Sequence, residues 1–238
     1  MTQPTLGLVM PLFNEQELVR SSCEAIFSVC SSESIPIKLL TVNNGSTDHT
    51  AARLKEISRT YPALEILNLK VNHGYGGGIL AGLERLDGCD LVGWVWGDNQ
   101  IDAAHIPSLY AACINGADIA KCTRTVRQDG LFRTAQSRGY RHLTQILGAQ
   151  SADLHGTPKV FQRQALELLA PRSTDWFLDT EVMLKAEQLG LKIYEESATM
   201  RQRQGGQSKI KPTTVFLFLQ KLLLWKLKQR QSVNNSSL

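Results

Sequence analysis

The chain has 238 residues, 42% hydrophobic and 20% charged, with a formal net charge of +4 at pH 7. These proportions exclude a wholly disordered chain and are typical of a globular protein with a sizeable core. The net charge is too small to indicate nucleic acid as a partner, and none is expected. No acidic residue follows Glu196, however, so the C-terminal part suits an anionic partner such as a diphosphate or a membrane surface.

Apolar runs and helical patterns alternate over the first two thirds of the chain. Strands are predicted at 6–12, 37–42, 64–69, 90–96 and 117–122, and helices at 15–30, 46–61, 76–87 and 102–115. This alternation favours one α/β domain with a mostly parallel sheet and helices on both faces. In such a sheet, ligands bind at the carboxyl ends of the strands.

The pattern becomes less regular beyond Thr123. We predict a polar, basic loop at 123–139, and then a helix near 138–148, a short extended segment at 159–161 and a helix at 178–189. The residues from 190 to 204 favour a β pair or a strand that runs into a loop. The predicted boundaries are a catalytic domain at 1–211, an amphipathic helix at 212–230 and a disordered tail at 231–238.

The amphipathic C-terminal helix has three interpretations. Its most apolar part, 215–227, carries Gln220 and Lys221 in its middle and is too short to span a membrane. The helix could lie at a membrane interface as a peripheral contact, pack in a homo-oligomer, or pack on its own domain.

The cysteines and the N-terminus both indicate a cytoplasmic location. The five cysteines show no CxxC spacing and no accompanying histidine cluster, so we expect buried free thiols in a reducing compartment. The N-terminal residues lack the basic region of a signal peptide.

Polar and glycine-rich residues follow each of the first four predicted strands, in PLFNE, VNNGSTD, NHGYGGG and WGDNQID. Ordinary βα turns also favour these residues, but four in succession indicate a shared ligand site. Gly76, Gly78 and Ala81 fit the dinucleotide-binding pattern G-x-G-x-x-A, although after the third strand rather than the first. Close packing of small residues is the alternative to a tight turn whose amides face a nucleotide.

The segments VMPLFNEQELV, TVNNGSTDHT, NHGYGGGILAGL and GDNQIDAAHI resemble, in order and spacing, inverting family 2 glycosyltransferases with the GT-A fold. Within them the chain is most similar to the polyprenyl-phosphate (dolichyl-phosphate) mannosyltransferase and glucosyltransferase group. The resemblance continues through TRTVRQDGLFR, DLHGTPKVFQR, WFLDTEVMLKAEQLGLKI and RQRQGGQSK, over roughly residues 6–210. It implies a hexosyltransferase that moves a sugar from a nucleotide-diphosphate-sugar donor to an acceptor, expected to be a polyprenyl phosphate.

The resemblance also implies a donor nucleotide site at the strand ends. Its members are Pro11, Asn14, Glu15, Asn43, Asn44, Ser46, Asn72, Gly76, Gly77, Gly97 and Asp98. Asn43 and Asn44 stand where the family has paired acids. An amide both donates and accepts hydrogen bonds, whereas a carboxylate only accepts, so recognition of the base or ribose is expected to differ. Turn-forming asparagines are the alternative.

A divalent cation, Mg²⁺ or Mn²⁺, is expected between the donor phosphates and the end of the fourth strand. Asp98 matches the second acid of the family's DxD motif and Gln100 a frequent additional ligand, but Trp96 replaces the first acid. Such an ion would offset charge on the leaving diphosphate. One carboxylate with phosphate oxygens and waters can hold it, so weak binding is expected. Asp102 is expected to cap the next helix instead.

Phosphate-binding residues are expected at Arg124, Arg127, Lys159, Arg203, Ser208 and Lys209, of which the resemblance itself implies the residues of the 203–209 loop. The 203–209 loop would close on phosphate with freedom supplied by Gly205 and Gly206. A solvated basic surface is the alternative for these cations.

Asp98, Asp179 and Glu181 are the three candidate catalytic acids. A lipid phosphate is already ionised near neutral pH and would need such an acid only for orientation, whereas a sugar hydroxyl would need a base. A favourable charge at a helix N-terminus is the structural alternative.

Three other functions stay open at this point. Transfer to a saccharide or other hydroxyl acceptor would depend on Asp179 or Glu181 at every pH. A non-catalytic nucleotide-sugar-binding protein, suggested by Trp96 and the two asparagines, would not turn the donor over. A dehydrogenase would bind a nicotinamide nucleotide.

Overall fold

The computed structural model describes residues 3–127, 151, 153–201 and 221. The strands are β1 (Leu6–Leu12), β2 (Ile37–Asn44), β3 (Leu64–Leu69), β4 (Leu91–Trp94), β5 (Ile119–Arg127), β6 (Lys159–Gln162) and β7 (Ile193–Met200). The helices are α1 (Val19–Ser32), α2 (Thr50–Ser58), α3 (Gly74–Leu83), α4 (Ile106–Ile114), α5 (Arg163–Leu169) and α6 (Phe177–Gln188). A short 3₁₀ turn, Ala103–His105, precedes α4.

The strands form one mixed sheet in the order β3-β2-β1-β4-β6-β5-β7. All neighbours are parallel except β6, which runs antiparallel to both β4 and β5. The predicted mostly parallel sheet is therefore confirmed. Because β6 is reversed, its first residue, Lys159, pairs with Trp94 at the carboxyl end of β4.

Both faces of the sheet are buried under helices. On β1, Leu6, Leu8 and Met10 belong to one apolar cluster, which also contains residues of α1, α2 and α4. Val9 belongs to the opposite cluster, which contains residues of α3, α5 and α6. A strand covered on both faces needs apolar side chains at successive positions, which explains the uninterrupted apolar run that predicted β1.

Most predicted elements are found with shifted ends, such as β4, which spans Leu91–Trp94 and not 90–96, and the larger corrections concern β5 and α5. The strand predicted at 117–122 continues to Arg127, because β5 stays paired with β7 as far as Arg127 and Met200. The start of the predicted loop at Thr123 is therefore wrong. Helix α5 was not predicted at all, since its seven residues are too few to show a helical period.

Residues 190–204 were predicted to form either a β pair or one strand that runs into a loop, and the structure has one strand in the described part of this range, β7. Several predicted segments lie outside the described residues: the helix near 138–148, the 203–209 loop, the tail, and the helix at 215–227 apart from Lys221. The domain boundaries stay predictions. In the described ranges, no helix is both long enough and apolar enough to cross a membrane. All five cysteines are free and buried, as the sequence predicted.

Candidate functional site

The loops that follow β1 and β2 are tied together by hydrogen bonds. The Asn14 N–H donates to Ser46 Oγ at 3.0 Å, and the Thr47 N–H donates to Asn14 Oδ1 at 2.8 Å. The Glu15 N–H donates to Thr50 Oγ1 at 2.9 Å. Asn14 has a φ of 53°, a left-handed conformation that asparagine tolerates better than most residues. The predicted nucleotide residues Asn14, Glu15 and Ser46 therefore lie together at the carboxyl edge of the sheet.

Asn43 and Asn44 each use both functions of their amide, and both are nearly fully buried. Asn44 Nδ2 donates to the Gly74 carbonyl at 2.8 Å, while its Oδ1 accepts the His73 N–H at 2.9 Å. Asn43 Nδ2 donates to Asn68 Oδ1 at 2.9 Å, and its Oδ1 accepts the Ser46 N–H. A carboxylate could not make the donating half of either pair. Amides in place of the family's acids thus have a structural reason.

Replacing Asn44 by aspartate should lower the free energy of unfolding by about 1–3 kcal/mol, because a carboxylate oxygen would then face the Gly74 carbonyl. Urea denaturation at pH 7 measures the loss. The exposed Asn115→Asp exchange is the control and should change stability by no more than about 0.5 kcal/mol. Equal midpoints for the two variants would contradict the role of the Asn44 amide.

The glycine run at the start of α3 packs against the segment 173–175. The Gly77 N–H donates to the Thr174 carbonyl at 2.8 Å, and a Cβ on Gly76 would lie 2.2 Å from the Ser173 carbonyl oxygen. Asn72 Oδ1 accepts the Gly74 N–H at 2.8 Å and shapes the preceding turn. Close packing therefore explains the glycines. Nucleotide contact by Asn72, Gly76 and Gly77 stays a prediction.

Two further predicted donor residues lie on either side of this edge. Pro11 is partly exposed near the end of β1 and pairs with Val42. The Gly97 carbonyl accepts the Ser22 hydroxyl at 3.0 Å, and a Cβ on Gly97 would lie 2.4 Å from Leu12 Cδ2. A larger residue there would require the Leu12 side chain to shift, so the glycine agrees with either a packing or a binding role.

Glu181 fixes the segment that holds the glycine run. Its carboxylate accepts the N–H groups of Arg172 and Ser173, the latter at 2.8 Å, and the Lys185 ammonium at 2.7 Å. Burial raises the pKa of Glu181, but these hydrogen bonds lower it by more, and the pKa lies below its usual range. An ionised acid with both oxygens engaged is suited to structure. Asp179 is the stronger catalytic candidate of the two.

Asp179 lies in a fully buried polar cluster beneath the carboxyl edge. Its Oδ1 accepts the Trp94 indole N–H at 3.0 Å and the Lys159 ammonium at 2.6 Å. Lys159 is also completely buried, and this burial lowers its pKa to about 8, partly restored by Asp179. Lys159 was predicted to bind phosphate, but its ammonium is paired with an acid inside the core.

Arg124 is also held by an acid. Its guanidinium makes two hydrogen bonds of 2.6 Å to Asp153 and lies over the Trp96 ring, 5.4 Å from the centroid. Although burial raises the pKa of Asp153, the guanidinium holds that pKa well below its usual range. Arg127 lies at the end of β5, and Arg203, Ser208 and Lys209 lie outside the described residues. Their phosphate contacts stay predictions.

Trp96, in the position of the missing acid, belongs to an aromatic cluster with Tyr75 and Trp176. The Trp96 indole N–H donates to Tyr75 Oη at 3.0 Å. Tyr75 stacks on Trp176 with 4.2 Å between ring centroids. The replacement therefore puts a packed aromatic side chain, with Arg124 over it, where the family has a metal-binding carboxylate.

Asp98 is left as the acid of the predicted metal site. Its Oδ1 accepts the Gln100 N–H at 3.2 Å, and Gln100 Nε2 donates to the Arg201 carbonyl. Asp102 accepts the Ala104 N–H at 3.0 Å and pairs with Arg201, which confirms it as the cap of the next helical turn. No group of three potential metal-binding His, Cys, Asp or Glu side chains occurs within the described ranges. The residues therefore fit a divalent ion only if donor phosphate oxygens complete its ligands.

Sequence reasoning missed Tyr75, Trp94, Asp153 and His155. His155 Nδ1 lies 4.0 Å from Asp179 Oδ2, and burial lowers the pKa of His155 to about 4, so the ring is neutral near pH 7. Asp153 and His155 fall in the DLHGTPKVFQR segment that carried part of the resemblance. That motif could have drawn attention to them, whereas Trp94 has the pattern of an ordinary buried strand residue.

A mostly parallel sheet, polar loops joined along its carboxyl edge, and an acid just beyond β4 together define a glycosyltransferase of the GT-A type. The chain belongs to glycosyl transferase family 2, whose family model matches residues 8–169. This membership confirms the resemblance and removes the dehydrogenase alternative.

The curated relatives include undecaprenyl-phosphate 4-deoxy-4-formamido-L-arabinose transferases. The protein of Yersinia enterocolitica is 28% identical over 167 residues, which cover 69% of this chain and 50% of the relative. That of Proteus mirabilis is 29% identical over 168 residues, covering 69% and 51%. The chain spans about half the length of the curated relatives it matches.

Solved structures confirm the predicted GT-A fold. Glucosyl-3-phosphoglycerate synthase from Mycobacterium tuberculosis, in complex with Mn²⁺, UDP-glucose and phosphoglyceric acid, superposes with a TM-score of 0.71 at 16% identity, covering 94% of this chain and 79% of the other. A mannosyltransferase from Pyrobaculum calidifontis, in complex with GDP-mannose and Mn²⁺, gives 0.63 at 16% identity, covering 86% and 59%. At these identities the likeness concerns the fold.

Proposed function

We propose that this chain transfers a sugar, with inversion, from a nucleotide-diphosphate-sugar donor to a polyprenyl phosphate. The observation that carries the proposal is the joined carboxyl edge, where Asn14, Ser46 and Asn43 are linked by hydrogen bonds and Asp98 follows β4, the strand beside β1. The names of the curated relatives support a polyprenyl-phosphate acceptor, and those of the structural neighbours support a nucleotide-sugar donor.

In this proposal the protein acts by position and charge. Direct displacement needs an oriented acceptor and a stabilised diphosphate leaving group. The loops after β1, β2 and β3 would hold the nucleotide. Arg127, Arg203, Ser208 and Lys209 remain the proposed phosphate ligands. Asp179 would orient a substrate group rather than act as a strong base, since a lipid phosphate is already ionised.

A divalent ion is proposed to bind together with the donor, held by Asp98, Gln100 and the donor's phosphate oxygens. When bound, it would offset negative charge on the leaving diphosphate. Mn²⁺ in the structures of two neighbours supports this proposal.

A panel of nucleotide sugars, scored by thermal shift and then by turnover with polyprenyl phosphate in vesicles, tests the function. A ligand that binds only the folded state must raise its stability. We expect at least one donor to stabilise the chain and to be consumed only slowly without acceptor. Binding without any turnover would instead establish a non-catalytic nucleotide-sugar-binding protein, and neither binding nor turnover would contradict the proposal.

Replacing Asp98 by alanine should remove the Mn²⁺-dependent part of donor affinity, about tenfold or more, because no group of three metal-binding His, Cys, Asp or Glu side chains among the described residues could replace it. Calorimetry with and without Mn²⁺ measures it on the donor found in the panel. Asp87→Ala, an exposed acid just ahead of β4 at the opposite edge of the sheet, is the matched control. Unchanged Mn²⁺ dependence in the Asp98 variant would remove the metal assignment.

Transfer to a saccharide hydroxyl is the second candidate, favoured by the buried acid Asp179 near the site. A polyprenyl phosphate and a soluble oligosaccharide, offered separately as acceptors, distinguish the two. Peripheral contact with the cytoplasmic face of a membrane through 215–227, and assembly as a homo-oligomer, also stay proposals.

A further inference from the structure

The two oxygens of the Asp179 carboxylate are in different situations. Oδ1 accepts two strong hydrogen bonds, from Trp94 and Lys159. Oδ2 accepts no well-aligned hydrogen bond from any residue that the structure describes, although the whole side chain is buried and the Tyr75 phenol also interacts with this carboxylate. A buried carboxylate oxygen without a partner is costly, so its presence at a site indicates a ligand that is absent from the protein alone.

The surroundings of the two oxygens also differ in exposure. Trp94 and Lys159, which bind Oδ1, are completely buried. His155, whose Nδ1 lies 4.0 Å from Oδ2, is partly exposed, and so is Tyr75, whose phenol has its pKa raised by burial and by Asp179. Oδ2 therefore lies on the side of the carboxylate next to the partly exposed His155, while Oδ1 is anchored by two completely buried groups.

The chemistry of an ionised carboxylate restricts what this oxygen can bind. A carboxylate only accepts hydrogen bonds, so Oδ2 suits a hydroxyl and repels a phosphate. If the acceptor is a lipid phosphate, the hydroxyl belongs to the donor, and we assign it to the transferred sugar because the nucleotide is proposed to lie in the loops after β1, β2 and β3. The Lys159 ammonium, 2.6 Å from Oδ1, offsets the carboxylate charge without occupying Oδ2.

We propose that Lys159 and Trp94 are positioning residues, which hold Asp179 through Oδ1 so that Oδ2 accepts a hydrogen bond from a hydroxyl of the transferred sugar. This inference rests on the proposed function. It gives Lys159 a role different from the phosphate contact that the sequence predicted.

Lys159→Met and Trp94→Phe test the proposal in steady-state kinetics, with UDP-glucose and GDP-mannose as probes. We expect kcat to fall about 100-fold in the first variant and about tenfold in the second, with KM for the donor within about threefold. Donor hydrolysis and transfer to polyprenyl phosphate should fall together, because the sugar takes part in both. Lys121→Met is the matched control, since that lysine is equally buried but pairs with Glu195.

Two kinetic results would overturn the proposal. A large rise in donor KM with little change in kcat would make Lys159 a phosphate ligand. A loss of transfer with unchanged donor hydrolysis would show that Asp179 acts on the acceptor and not on the transferred sugar.

The indole N–H signal of Trp94 tests the positioning without any turnover. Its resonance is assigned by its disappearance in Trp94→Phe, and we expect it to shift or broaden in Lys159→Met but not in Lys121→Met. An unchanged signal in Lys159→Met would overturn the positioning role. If no donor is turned over by the wild-type chain, the proposed function fails while this spectrum still decides how Asp179 is held.

Discussion

Replacing Asp179 by alanine should lower the free energy of unfolding by about 3–5 kcal/mol, because it leaves the Lys159 ammonium without its partner inside the core. Both side chains are completely buried, so water cannot take over the lost interaction. Part of the cost appears as deprotonation of Lys159, whose pKa is already lowered to about 8 beside the acid. Urea denaturation at pH 7 measures the change, with an unchanged dependence on urea concentration as the sign of two-state behaviour.

The double variant Asp179→Ala with Lys159→Met is the control for this prediction. Removing both charges leaves no uncompensated ion, so the double variant should be less destabilised than the sum of the single changes by about 2 kcal/mol or more. Strict additivity of the two single losses would show that the pair does not act as a unit.

Raising the pH from 8 to 10 should lower the free energy of unfolding by about 3 kcal/mol. Burial raises the pKa of Cys23, Cys30, Cys113 and Cys122 from 9.0 to about 12. Above pH 9 the unfolded chain loses these protons while the folded chain keeps them, so stability falls by about 1.4 kcal/mol per thiol and pH unit.

Lys159 acts in the opposite direction over the same range. Its pKa is about 8 when folded and 10.5 when unfolded, so between these values the unfolded chain holds the extra proton and stability rises with pH. This rise offsets about 2 kcal/mol of the roughly 5–6 kcal/mol that the four thiols lose. Replacing Cys113 by alanine should reduce the steepness of the decline, and a stability that stays flat from pH 8 to 10 would contradict the buried, protonated thiols.

The part of the fold that could be predicted from the sequence is local in origin. The strands β1 to β3 and the loops after them follow from apolar runs that stop at turn-forming residues, and such signals lie within a few residues of one another. Asn14 and Ser46 could be placed at one edge because parallel strands share their carboxyl ends. The role of Asp102 followed from the same local logic, since a cap acts two residues away.

The remaining features depend on contacts between distant parts of the chain. The hydrogen bond from Trp94 to Asp179 joins residues 85 apart, and neither side chain carries a signal for the other. The extension of β5 depends on its pairing with β7. The amide of Asn44 is explained only by the His73 and Gly74 backbone that it holds, 29 and 30 residues away.

Helix α6 carries Asp179 and Glu181 two positions apart, which puts them about 200° apart around the helix axis. Asp179 accepts hydrogen bonds from Trp94 at the end of β4 and from Lys159 at the start of β6. Glu181 accepts hydrogen bonds from the 172–173 backbone, and the glycines of α3 pack against the adjoining segment. The helix therefore connects the buried acid Asp179 to the segment that packs on the glycine turn of α3. A change that tilts it would displace both contacts at once, so the position of the buried acid and that of the glycine turn of α3 are coupled through one helix.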